Sequence, residues 1–201
     1  MQFRDYRNFE YNKSAPLLIL LTDDQDLIDS TIVEESLRLS KHEKKTLWIR
    51  SKILDKFPSY DVSNFSAKEL SQVKIKYVQS GMTISKLILD FCSTIQNQLE
   101  FEFYQILIDL KEWSISVEEC ELTGMLAVLS DTALYILSKR DESLDLISTE
   151  NLDTQSSFPI TIFLSPEMKK NNIYMATQFS SNIKTIDNNK NIVDSDIDNY
   201  L

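Results

Sequence analysis

The sequence predicts an α/β fold with a mainly parallel sheet and helices on both faces. Three observations predict it. Short apolar runs alternate with longer stretches whose apolar residues recur at helical spacing. The run Leu17 to Leu21 (LLILL) is apolar at every position, as in a strand covered on both faces. The order closes on what reads as an antiparallel hairpin, which ends a series of strands joined through helices. With 201 residues, 42% of them hydrophobic, the chain is long enough to close one substantial core.

Each element has a local reason. After the strand at 17–21 comes a turn of acids, and Ser30 is read as the cap of a helix with Glu34 near its first turn. Ile32, Val33, Ser36, Leu37 and Leu39 give that helix its stripe. Thr46 to Ile49 reads as the second strand, and a polar connection through Pro58 leads to Ser66. Val73 to Val78 alternates as a strand until Ser80-Gly81 breaks it. Ile84, Leu87, Ile88, Phe91, Cys92 and Ile95 place a helix over about 83–99.

Phe103 to Leu110 is the next strand, with Asp109 at its carboxyl end, and Val117 to Leu129 reads as a helix despite Gly124. Ala133 to Leu137 (ALYIL) is expected as a further buried strand, and 139–157 as a long surface loop. Pro159 to Ser165 and Asn172 to Phe179 are the expected hairpin around PEMKKNN. The organisation is therefore an N-terminal segment (1–14), one domain (15–180) and an acidic polar tail (181–201).

Composition excludes much chemistry. Gly81 and Gly124 are the only glycines, and neither lies at the spacing of GxxxxGK[ST] or GxGxxG, whose backbone N–H groups close on phosphates. His42, Cys92 and Cys120 are the whole supply of imidazole and thiol, scattered along the chain, which argues against a zinc centre and against an ordinary enzyme. The cysteines read as packing residues of a reducing compartment, and His42 as exposed. The apolar stretch Ala15 to Leu21 is too short to cross a bilayer, so neither a signal peptide nor a membrane anchor is expected. The net charge is -10, yet 41–76 carries nine basic residues against four acids, a local balance of +5. Such a block is a solvated face or a docking surface.

The segment Asp24-Gln25-Asp26-Leu27-Ile28-Asp29-Ser30-Thr31 has the length of a phosphate loop, but only Thr31 fits the template. Asp24 and Asp29 replace the glycines and Ser30 replaces the lysine. Each close like-charge contact with a polyanion at about 4 Å costs roughly 4 kcal/mol at an effective dielectric of about 20. Ile106-Leu107-Ile108-Asp109 resembles the apolar strand that ends in a magnesium-holding acid. Together with the order of parts, from Met125–Asp131 into Ala133–Ser138 and on through Ile160–Ser165 and Ile173–Thr177, the chain resembles the RecA-like recombinase core over 15–180. With the phosphate loop degenerate, it is similar to the ATPase-dead recombinase paralogues of the Shu complex type.

That resemblance implies a nuclear, noncatalytic subunit of a homologous-recombination complex, without a cofactor or membrane contact. It implies a second RecA-like paralogue and a recombination factor as partners, and sequence-independent DNA contact through the assembly. Lys139 and Arg140 in the expected loop and Lys169 and Lys170 at the expected hairpin tip are its candidate DNA contacts. Phe3, Tyr6, Phe9 and Tyr11, ahead of the first strand, are its candidate partner contacts. Trp48 and Trp113 read as core packing or interface anchors. The alternative resemblance is to the RecA-like ring of Elongator, which implies a structural role in tRNA modification. A magnesium-dependent hydrolase using Asp23, Asp24 and Asp109 is a third reading, with no base, lysine or phosphate loop to support it.

Overall fold

The computed structural model describes residues 16–54, 65–97, 102–144, 158–186 and 192–194. Its strands are β1 (Leu17–Leu21), β2 (Thr46–Arg50), β3 (Val73–Tyr77), β4 (Gln105–Asp109), β5 (Ile160–Leu164), β6 (Ile183–Ile186) and β7 (Ile192–Asp194). Its helices are α1 (Gln25–Ser40), α2 (Ala67–Leu70), α3 (Ile84–Asn97), α4 (Lys111–Ser116), α5 (Glu119–Leu144) and α6 (Lys170–Phe179). Among the described residues they form one α/β sheet in the order β3-β2-β4-β5-β1-β6-β7. The first six strands are parallel, and β7 runs antiparallel to β6 at the edge.

The alternation of side chains along a strand divides the core in two. Leu17, Ile19 and Leu21 of β1, with Ile106 and Ile108 of β4 and Ile160 and Ile162 of β5, face α3, α5 and α6. Leu18, Leu20, Trp48, Leu107 and Phe163 point the other way and meet Leu27, Ile28, Ile32 and Val33 of α1. Every residue of β1, β2, β4 and β5 is buried, which is why these runs carry no polar face. Trp48 is 1% exposed and so belongs to the core. His42 and Cys120 are exposed, whereas Cys92 is buried, so only one of the two cysteines is a packing residue.

Several expectations are corrected. Ala133 to Leu137 is not a strand but the middle of α5, a single helix that also takes in 139–144. Its buried positions Leu122, Met125, Leu126, Leu129, Ala133 and Ile136 recur at three and four, while Leu134 is 46% exposed. The run ALYIL is apolar on both sides of the helix, which hides its period within five residues. Over Glu119–Arg140 this helix is long and apolar enough to cross a membrane by composition, but its apolar stripe packs here on α3, α6 and the sheet. The remainder of the expected loop, 145–157, lies outside the described residues.

Asn172 to Phe179 is helical as well, within α6, with Asn172, Ile173 and Ala176 buried. A hairpin there is ruled out by the sheet: β6 is parallel to β1, and its connection from β5 must cross over a face, which needs a helix. The antiparallel pair of the fold is β6 with β7, inside the segment expected as an acidic tail. The N-cap of helix α1 lies six residues before the expected one. Asp24 holds the N-cap, its Oδ1 accepting from Leu27 N at 3.0 Å, while Ser30 Oγ donates to Leu27 O inside the helix.

The extent of α5 is directly testable. A Cβ added at Gly124 meets nothing within 4 Å, so Gly124→Ala is expected to raise stability by about 0.5–1 kcal/mol. Leu134→Pro should lower it by about 3 kcal/mol or more. Urea denaturation of the two variants measures both, and a tolerated proline would return this segment to a strand or loop.

Candidate functional site at the carboxyl edge of the sheet

Ligands of open α/β sheets bind beyond the carboxyl ends of the strands. Here that edge carries Asp23 and Asp24 after β1, Arg50 at the end of β2, Asp109 at the end of β4 and Ser165 after β5. Only Thr22, Asp23 and Asp24 separate β1 from α1. The turn is tied down: Thr22 Oγ1 accepts from Asp24 N at 3.2 Å, and Asp23 Oδ1 accepts from Ser165 Oγ at 2.7 Å. Lys111 Nζ donates to Asp23 O at 2.8 Å. Of the residues aligned to a phosphate loop, Asp24 caps the helix, and Asp29, Ser30 and Thr31 stand on it in its second turn. They are brought near the edge but form no loop. A phosphate cradle does not fit there, because the N–H of Leu27 already bonds the Asp24 carboxylate.

Beside this turn lies a polar cluster whose members come from three elements. Gln25 Nε2 donates to Asp29 Oδ1 at 3.0 Å and to Asp109 Oδ2 at 2.9 Å, so one amide joins α1 to the end of β4. Arg50 Nη1 donates to both oxygens of Asp29, at 3.1 and 3.2 Å, and Arg50 Nη2 lies 4.0 Å from Asp109 Oδ2. The guanidinium carbon is 4.9 Å from the centroid of the Trp48 ring. Arg50 is 5% exposed and Asp109 6% exposed. Burial pushes the Asp109 carboxyl above its ordinary value, against the opposing pull of the Gln25 and Lys111 hydrogen bonds and the Arg50 charge.

The cluster lines a cavity of about 330 Å³ together with Asp26, Lys52, Glu112 and Ile53. At its rim Lys52 Nζ meets Glu112 Oε1 at 2.5 Å. Arg50 Nε is buried with no hydrogen-bond partner, as is Nε1 of the Trp48 ring beside it. Among the described residues no group of three or more His, Cys, Asp or Glu could hold a metal ion. Asp109 therefore has an arginine and an amide around it, and Asp23 is engaged by Ser165 at a separate place on the edge. The burial that packs Cys92 also pushes its thiol up, away from thiolate chemistry.

The four basic candidates do not share a surface. Lys169 precedes α6 at the carboxyl edge, where its Nζ meets Glu118 at 2.9 Å; Lys170 is the first residue of α6. Lys139 and Arg140 lie toward the other end of α5, about 30 Å away along its axis at about 1.5 Å rise per residue. There Arg140 stacks 3.7 Å from the Tyr104 ring centroid and donates to Tyr104 O. Phe3, Tyr6, Phe9 and Tyr11 lie outside the described residues. Sequence reasoning missed Gln25 and Arg50. The available signal was a charged residue closing the apolar run TLWIR. Comparison with protein-family models, with curated proteins and with solved structures gave no match.

Arg50→Met leaves two carboxylates without their cation and is expected to cost about 3–5 kcal/mol, part of which Asp29→Asn should restore in the double variant. Thermal or urea unfolding of the three proteins measures the coupling, and additive losses would show that the pair does not interact. The sign for Asp109 follows from linkage. Its folded-state value lies above the ordinary 3.8, so the folded chain holds a proton that the unfolded chain has released. Its contribution is present at low pH and is lost as pH rises through the folded value. Relative to Asp109→Asn, the wild type should lose stability as pH climbs from about 4 and then level off.

Proposed function

We propose that this protein is a noncatalytic subunit of a homologous-recombination DNA-repair complex, a RecA-like recombinase paralogue acting in the nucleus with a second paralogue and a recombination factor. The observation that carries the reading is the state of the carboxyl edge. An apolar strand ends in Asp109 near a β1–α1 turn, as in the family, but a capped three-residue turn stands in place of the phosphate loop. Arg50 and Gln25 surround the acid. A charge supplied by the chain itself is what a core that has given up nucleotide would be left with.

The strand order adds support. β5, which the resemblance assigned to a closing hairpin, follows β4 after α4 and α5 and sits between β4 and β1, taking the place the resemblance gave to a strand at 133–138. The structural reading as an Elongator-type subunit shares this architecture and differs in its partners. Proteins copurifying with the chain at native expression are expected to include another RecA-like subunit and a recombination factor. The assembled complex should bind single-stranded or forked DNA with strong salt dependence. Recovery of tRNA-modification subunits, or a complex indifferent to DNA, would sink the repair reading.

A further inference from the structure

The Arg50 guanidinium uses one nitrogen and leaves its side edge empty. Nη1 donates to both oxygens of Asp29, at 3.1 and 3.2 Å. Nε and Nη2 form the planar fork with which arginine grips two acceptors or one shared between them. Neither has an acceptor here: Nε is buried without a hydrogen-bond partner, and Nη2 lies 4.0 Å from Asp109 Oδ2, beyond hydrogen-bond reach. Asp109 is held off the fork by other donors, since Oδ2 accepts from Gln25 Nε2 at 2.9 Å and Oδ1 from Lys111 N at 3.3 Å. Arg50 and Asp109 both line the cavity of about 330 Å³, and Arg50 is 5% exposed. A donor buried and unmet in this way costs about 1–3 kcal/mol.

The charges around the cavity decide which acceptor fits. Its lining holds Asp26, Asp29, Asp109 and Glu112 against Arg50 and Lys52. Arg50 is paired with Asp29 and Lys52 with Glu112, which leaves Asp26, an exposed residue, and Asp109 in excess. Lys111 and Asp23 stand on the same edge but outside the lining, with Lys111 Nζ on Asp23 O and Asp23 Oδ1 on Ser165 Oγ. A carboxylate or phosphate on the fork would therefore face two acids at close range. A cation would suit the acids, but it gives the fork no acceptor and meets the guanidinium charge. A neutral amide answers both sides: its carbonyl oxygen accepts from the fork, and its N–H donates to a carboxylate whose lone pairs are not all in use.

We propose that this cavity binds a small neutral molecule bearing a planar amide, with the carbonyl on Nε and Nη2 of Arg50 and the N–H on Asp109. Ile53 and Leu54 supply apolar wall for the rest of the molecule, and Trp48 backs the guanidinium with its ring centroid at 4.9 Å. The volume lies at the small end of ligand pockets, about 300–1,000 Å³, so the occupant is a single ring or a short chain. Gln25 is a positioning residue, because its amide keeps Asp109 from closing on Arg50. Binding belongs to the chain alone and is independent of the repair reading.

Benzamide, benzoate and benzamidinium share one shape and differ in charge, so they separate the three kinds of occupant. Each is titrated into the isotopically labelled full chain at fixed ionic strength and neutral pH, and NMR follows the Arg50 Nε–H resonance and the backbone amides of 50–53 and 109–112. Benzamide is expected to shift these signals saturably, and the two charged probes are not. Asp109→Asn should weaken benzamide roughly tenfold through loss of a charged acceptor. Arg50→Lys, which keeps the charge but not the fork, should abolish the saturable shift at the backbone amides while the rest of the spectrum stays folded. Preference for benzoate or for benzamidinium overturns the proposal, as does unchanged benzamide affinity in Asp109→Asn. No saturable shift with any of the three shows a cavity that holds water only, and overturns it too.

Discussion

Parallel strands cannot be joined by tight turns, and the rest of this molecule follows from that constraint. Each step from one parallel strand to the next must return across a face of the sheet, and helices make those returns, with α1 on one face and α3, α5 and α6 on the other. Both faces of β1, β2, β4 and β5 are then covered, and these strands are buried throughout, whereas β3 at the edge alternates with Lys74 and Lys76 exposed. The same constraint also fixes polarity: the crossover helices begin at the carboxyl edge and end at the amino edge.

That polarity sorts the charges. Helix N-termini favour carboxylates and C-termini favour cations, each by a few tenths to about 1 kcal/mol. Asp24 caps α1, and Glu119 and Glu121 lie in the first turn of α5, whereas Lys41 follows α1 and Arg140 lies near the far end of α5. The helix field fits both ends of α1, whereas α5 has no basic residue in its last turn and α6 opens on Lys169 and Lys170. It does not account for the stacking of Arg140 and Lys44 on one tyrosine, which gives the amino edge its distinct chemistry.

At the carboxyl edge the sorting creates a difficulty that Arg50 resolves. Asp29 and Asp109 come close to one another in a nearly dry place, and like charges there raise the cost of ionisation. Arg50 and Gln25 bridge them, and the cation gains the face of Trp48. The result is a polar cluster that ties α1, β2 and β4 together while leaving Arg50 Nε unmet.

The sequence by itself determined the α/β class, the places of β1 to β5 and the absence of a glycine-built phosphate loop, because continuous apolar runs and glycine spacing are local properties. It misread 133–137 and 172–179 as strands, because ALYIL and the NIYMATQF run are short, and apolar runs of five to eight residues suit a strand and a helix alike. Only packing on α3 and the parallel crossover into β6 decided for helices. The sequence named Asp24, Asp29 and Asp109 at the carboxyl edge but not Gln25 or Arg50, whose roles exist only once α1 and β2 stand beside β4. It likewise held Lys41 to Lys45 and Lys139-Arg140 as separate features. Tyr104 joins them, and a contact between residues so distant along the chain is decided by tertiary structure alone.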